Sequence, residues 1–182
     1  QDIISGLSTL FKPGTLAGKK VVVTAGPTRE AIDPVRYISN HSSGKMGYAI
    51  AEAAADAGAT TILISGPTNL PCPSRVTRKG VVSAREMLDA CLAEMADCDL
   101  FIGAAAVADY RPKAVSSQKI KKDADSLNIE LEKNPDIIAT VAALDRRPIT
   151  VGFAAETNDL VNYAQGKLER KKLDAIIAND VS

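Results

Sequence analysis

The sequence predicts an α/β protein with a mainly parallel sheet and helices on both faces. Three observations carry that expectation. Short apolar runs recur along the chain with no polar alternation, as strands covered on both sides require. Alanine-rich or amphipathic helical segments stand between them. Glycine, proline and capping residues fall at the joins.

Taken in order, residues 1–18 are a linker or tail, in which Pro13, Gly14 and Gly18 interrupt a short apolar stretch. Residues 19–182 form the domain. Lys20–Ala25 is a continuous β-branched run and the first strand, and Met46–Ala57 is helical with Gly58 as its stop. Thr60–Ser65 is the second strand and Val76–Val82 a weaker third. Ser83 with Glu86 three residues on is a capping-box signature for a helix through Ala96. Leu100–Ala106 is a fourth buried strand, and Leu127–Glu132 alternates like a half-exposed one. Asn134-Pro135 offers a cap and a first-turn proline for a helix to Leu144. Ile149–Ala154 is a buried strand, Asp159–Leu173 a polar helix and Ala175–Ala178 a last strand. The alternation is Rossmann-like. In such sheets ligands bind beyond the carboxyl ends of the strands, which directs attention to the loops after Ala25, Ala106 and Ala154.

Composition narrows the function classes. Lysine plus arginine (22) balance aspartate plus glutamate (22), so no global field favours nucleic acid or a membrane, and any anion site must be a local cluster. No apolar run is long enough to span a bilayer, and no signal peptide is visible. Cys72, Cys91 and Cys98 lack metal or redox spacing; Cys91 and Cys98 are expected as small core hydrophobes. With His41 the single histidine, zinc sites and histidine triads have little to work with. A reducing, cytoplasmic setting is the default.

Gly26–Lys45 is far longer than the 2–6 residues, roughly, that usually join strand to helix, which marks it as functional or disordered. It ends in Asn40-His41-Ser42-Ser43-Gly44-Lys45 at a helix N-terminus, where small residues let N–H groups approach a phosphate and the helix dipole favours negative charge. Ser42 and Ser43 add hydroxyl donors, or one of them caps the helix. A Walker A loop would need glycine where Ser39 stands and serine or threonine in place of Met46. A dinucleotide fingerprint would need a second glycine directly after the strand, where Gly26-Pro27-Thr28-Arg29 has none. Neither motif is present.

After the fourth strand, Asp109 is placed to hold a metal ion or a ribose hydroxyl, or to cap a turn. Lys119-Ile120-Lys121-Lys122 is either a solvated face or a mobile flap that neutralises a polyphosphate. Lys167 and Lys171, four apart, share one helix face. Tyr163 and Lys167 also satisfy Tyr-x-x-x-Lys, a weak signal for a short-chain NAD(P) oxidoreductase, which stays open as an alternative beside a non-catalytic nucleotide-binding module.

Read together, Thr24–Glu30, Asp33–Gly47, Ala104–Arg111, Lys119–Lys122, Lys133–Asp136 and Gly152–Thr157 resemble the bacterial phosphopantothenoylcysteine synthetase family, from about Lys20 to Ser182. The resemblance implies a CTP-dependent ligation. The carboxylate of 4′-phosphopantothenate attacks the α-phosphate of CTP to give an acyl-cytidylate, and the amine of cysteine then displaces CMP. By matching positions it implies nucleotide contacts from Gly103, Ala104, Ala105, Asp109, Pro135, Asp136, Ile137, Ile138 and Phe153. Lys119, Lys167 and Lys171 would meet the phosphates. Asn40 would act on the acyl intermediate with Arg36 in the same motif, and Ser42, Ser43 and Gly44 would bind substrate. It also implies Mg2+ at Asp109, a homodimer whose protomers share the site, a flavin-dependent decarboxylase domain in the same full-length protein, and a further strand-rich segment after Ser182.

Overall fold

The computed structural model describes residues 14–122, 126–156 and 160–180. Six parallel strands form its main sheet: β1 (Lys20–Ala25), then, after the short strands β2 (Arg29–Ala31) and β3 (Tyr37–Ser39) and helix α1 (Lys45–Asp56), β4 (Thr60–Ser65) and β5 (Val76–Gly80). Helix α2 (Ala84–Leu92) precedes β6 (Leu100–Gly103), and two further short strands follow, β7 (Tyr110–Pro112) and β8 (Leu131–Lys133). Helix α3 (Ile137–Ala142), β9 (Ile149–Glu156), α4 (Leu160–Arg170) and β10 (Ala175–Asp180) complete the domain. The sheet order is β10-β9-β6-β1-β4-β5 with every pairing parallel. The chain thus winds outward from β1 in one direction and then returns to wind in the other. The order reverses between β1 and β6, and a crevice opens there at the strands' carboxyl ends.

The runs of valine in β1 are continuous because both faces of the strand are covered. Val22 packs with Ile62, Ile64, Phe101 and Met87 under α2 and α3, whereas Val21 and Val23 pack with Leu63, Tyr48 and Ala51 under α1. Phe101, Leu63, Met87 and the three valines are wholly buried. Cys91 is buried in the first cluster and Cys98 packs against it, both as small apolar groups; burial pushes the Cys91 thiol up to about 12 and the Cys98 thiol up to about 11.

Several boundaries differ from the sequence reading. The fourth main-sheet strand ends at Gly103 rather than Ala106, because the chain leaves the sheet to bridge across to Pro27. The half-exposed strand lies at Leu131–Lys133, where it pairs with Tyr110–Pro112, rather than at Leu127–Glu132. The third main-sheet strand stops at Gly80, the helix after Ser83 stops at Leu92 with a 3-10 turn at Met95–Asp97, and the final strand runs on to Asp180. Ser83 does cap α2, accepting from the Glu86 N–H at 3.2 Å. The polar helix is described as Leu160–Arg170; Asp159, where it was expected to begin, lies outside the described residues. Of the 1–18 segment, residues 1–13 lie outside them too. Gly14–Gly18 forms a turn whose Leu16 N–H donates to Ala57 at 2.9 Å and whose Leu16 side chain packs on the α1 core.

Candidate functional site

The long connection after β1 is a folded hairpin, not a free loop. Arg29–Ala31 pairs antiparallel with Tyr37–Ser39, and the Arg29 guanidinium lies 4.7 Å over the Tyr37 ring. Glu30, buried on β2, accepts from the N–H of Ala84 at 2.9 Å and so ties the hairpin to the start of α2. From Ser39 the chain returns to the sheet and enters α1 through Gly44. Its φ of 77° and a Cα of Gly26 only 3.3 Å from where a Cβ would stand explain why glycine is found there. Gly44 is the N-cap, with no side-chain cap bond. Ser42 Oγ instead accepts from Gly44 N at 3.2 Å, and Ser43 Oγ from Lys45 N at 3.5 Å, leaving both serines exposed at the helix start.

This segment is stitched to the connection after β6. Ala106 N–H donates to Gly26 at 2.9 Å, and Ala108 N–H donates to the hydroxyl of Thr28 at 3.0 Å, both in the rim that closes the switch-point crevice. Thr24 Oγ1 accepts from Ala105 N at 3.2 Å. The Asn40 amide reaches the same connection from above, donating to the Val107 carbonyl at 3.0 Å.

Below that rim lies a cleft of about 530 Å³. Gly103, Ala105, Asp109 and the Pro135–Ile138 turn line it, opposite Phe153, Lys167 and Lys171. Ala104 lies within the Gly103–Ala105 run but is not among the lining residues. Asp136 N-caps α3 by accepting from Ala139 N at 3.1 Å, which corrects the expectation that Asn134 is the cap. Asn134 is instead an internal brace: its amide donates to Ala108 at 2.8 Å, and its carbonyl oxygen accepts from Arg111 Nη1 at 3.0 Å. Lys171 pairs with Asp136 at 2.8 Å, and Lys167 donates to the Phe153 carbonyl at 2.7 Å. Two ammonium groups therefore face one cleft from α4 and the turn just after it.

Arg36 and Lys119 do not line the cleft. Arg36 donates to Asp33 on its own hairpin and to the Ile120 carbonyl at 2.9 Å, while Lys119, next in sequence, is exposed. The lysine segment is the loop of the β7–β8 hairpin, tied at its base by Lys113 N–H to Glu130 at 3.0 Å.

Two lysines and an aspartate lining the crevice of a doubly wound sheet describe many proteins; likeness to known proteins narrows the reading. Residues 16–182 match the DNA/pantothenate metabolism flavoprotein C-terminal domain family. The chain belongs to that family. It is 61% identical over 175 residues to the coenzyme A biosynthesis bifunctional protein CoaBC of Vibrio parahaemolyticus, covering 94% of this chain and 44% of that protein. It is 59% identical over 166 residues to the CoaBC of Escherichia coli, covering 89% and 41%. This pantothenate-metabolism domain thus spans less than half the length of those relatives. The crystal structure of a C-terminal domain of CoaBC superposes with a TM-score of 0.82 at 48% identity, covering 92% of this chain and 80% of that one.

Sequence reasoning found the cleft's carboxyl-end loops and passed over the residues that hold them in place. Thr24, Thr28, Glu30, Asp33 and Asn134 each make a hydrogen bond to backbone far along the chain. Of these, Asp33-Pro34 with an arginine next but one carried a visible turn signal.

Proposed function

We propose that this domain is a phosphopantothenate–cysteine ligase of coenzyme A biosynthesis, working in the cytoplasm and drawing on CTP. One observation carries the reading: Lys167, Lys171 and Asp109 face a single cleft at the switch point, and the Asn40 amide is bonded to the rim of that cleft. The names of the relatives support the pathway, and the residues support the chemistry. Activation of a carboxylate by a nucleoside triphosphate asks the protein chiefly for positioning and for neutralisation of phosphate charge. The Pro135–Ile138 turn and Phe153 would receive base and ribose, and Lys167 and Lys171 would exchange their present partners for phosphate oxygens. Ser42, Ser43 and Gly44 would hold the phosphopantothenate at the α1 start. Phosphopantothenate oxygen attacks the α-phosphorus and pyrophosphate leaves; cysteine nitrogen then attacks the acyl carbon and CMP leaves. Asn40 can donate to the oxyanion that develops in this second step without adding a charge.

Mg2+ suits Asp109, because this ion is commonly held by one or two carboxylates together with substrate phosphates and water. The ion would supply neutralisation of the departing pyrophosphate. A homodimer sharing the site, and a decarboxylase domain in the same full-length protein, complete the proposal.

The test is pyrophosphate release from the full chain with phosphopantothenate and CTP or ATP, with and without cysteine. Asn40→Asp is expected to keep the first half-reaction and accumulate acyl-CMP, seen by mass spectrometry. Absence of pyrophosphate release from the parent with either nucleotide rejects the ligase reading. Amide formation by Asn40→Asp at the parental rate rejects the role of Asn40.

A further inference from the structure

We infer that Asp33 is a positioning residue that anchors the lysine flap, fixing the chain beside Lys119 to the β2–β3 hairpin through the backbone of Ile120. The side chain of Asp33 is completely buried at the turn between β2 and β3. Its Oδ1 accepts the N–H groups of Val35 at 2.8 Å and Arg36 at 2.9 Å, the usual pattern of an aspartate closing a turn. Its Oδ2 does something the turn does not need. It accepts Arg36 Nε at 3.0 Å and, from 87 residues along the chain, the N–H of Ile120 at 3.1 Å. Arg36 then completes a second arm by donating Nη2 to the carbonyl of the same Ile120 at 2.9 Å. Both backbone groups of one flap residue are thus gripped by one ion pair, whose carboxylate is buried and whose guanidinium is partly exposed. A further bond, Ser116 N–H to the Ile32 carbonyl at 3.0 Å, docks the flap's ascending limb on the same hairpin.

The residues on either side of Ile120 are Lys119 and Lys121, both exposed. Anchoring the residue between them restricts where their ammonium groups can travel while leaving the side chains free to meet an anion. The grip is charge-assisted on both arms, so it is stronger than a neutral loop contact. The guanidinium of Arg36 holds the Asp33 carboxyl far below the usual carboxylate range, with burial opposing and the backbone N–H groups of Val35, Ile120 and Arg36 assisting. The anchor therefore keeps its charge at all ordinary pH values.

The role of Lys119 in this inference, the phosphate contact that the family resemblance implies, rests on the proposed ligase chemistry; the anchoring itself does not. Two arms separate them. In the first, the full chain without any substrate is digested with trypsin, and cleavage after Lys121 is timed by mass spectrometry. Asp33→Asn is expected to accelerate it about tenfold, as loss of a charge-assisted bond would. Ile120→Pro removes the same N–H from the flap side, leaves the hairpin's own bonds in place and is expected to act alike. It serves if Asp33→Asn fails to fold, with circular dichroism as the check. Unchanged cleavage in a folded variant overturns the anchor whatever the domain's activity. In the second arm, pyrophosphate release is measured for Asp33→Asn, Lys119→Gln and the pair. The double variant is expected to match Lys119→Gln alone, because Asp33 acts through that lysine. Losses that multiply show that Asp33 merely holds up the hairpin and overturn the positioning role.

Discussion

Thr28 links the site to the sheet, and its hydroxyl can be removed almost without changing its shape. The residue is wholly buried, and Oγ1 accepts the N–H of Ala108, itself only 2% exposed, at 3.0 Å. Thr28→Val keeps the volume and leaves that N–H without its partner and out of reach of water. Stranding a buried donor costs about 1–3 kcal/mol. For a domain of this size each kcal/mol lowers the melting temperature by roughly 2–4 °C, so a fall of about 2–12 °C is expected. The effect should also reach function. Ala108 precedes Asp109 and follows Val107, whose carbonyl holds Asn40, so a displaced Ala108 disturbs both sides of the cleft. Differential scanning calorimetry measures the first effect and isothermal titration with CTP the second. Thr28→Ser is the control. It loses a buried methyl group and about 1 kcal/mol, but it keeps the acceptor, so nucleotide affinity should stay near the parent's. A valine variant melting within a degree of the parent, or a serine variant that binds as weakly as valine, would refute the reasoning.

Two further outcomes follow from the charges. Asp136→Asn retains an acceptor for Ala139 N–H and frees Lys171, so helix stability should hold while CTP binds about two- to fivefold more tightly, the worth of a half-exposed ion pair; weaker binding at low salt would contradict it. Stability should be flat through neutral pH and fall on both sides. Glu94 is held below 4.5 by hydrogen bonds from Lys20 and then Lys79, and Asp174 below 3.8 by Arg147, so the unfolded chain binds more protons and their contribution is lost as pH falls through the folded values. At Lys20 burial opposes the charge but the bonds of Asp97 and Glu94 outweigh it, raising it above 10.5; its contribution is lost as pH rises through that raised value. A melting temperature that climbs on acidification from about pH 6 to pH 3.5 would show the sign to be wrong.

The loop that was legible as functional, Gly26–Lys45, illustrates what periodicity can and cannot show. Its length and its small-residue end were visible, yet the hairpin inside it was not. Three-residue strands leave no alternating pattern, and this pair is held by Glu30 and Asp33 reaching α2 and the flap. The same limit explains Asn134. Asparagine before proline is a fair helix cap by local chemistry, but Arg111 and Ala108 were better partners for it, and Asp136 two residues on took the cap. Lys171 was readable as half of a helical pair with Lys167. That its partner is Asp136 depends on α4 packing against β9 and β10.

By itself the sequence determined the layered α/β architecture, the strands of the sheet and the loops at their carboxyl ends. These follow from apolar runs and capping residues, whose effects are local and act through the backbone next to them. Only the tertiary structure decided which side chains share the cleft, that Arg36 faces Asp33 and the flap rather than the cleft, and which buried hydroxyls and carboxylates pin the rim. Those choices are settled by hydrogen bonds between segments tens of residues apart. A buried donor must find some acceptor, but which one is fixed by the packing of the whole sheet and not by its neighbours in the chain.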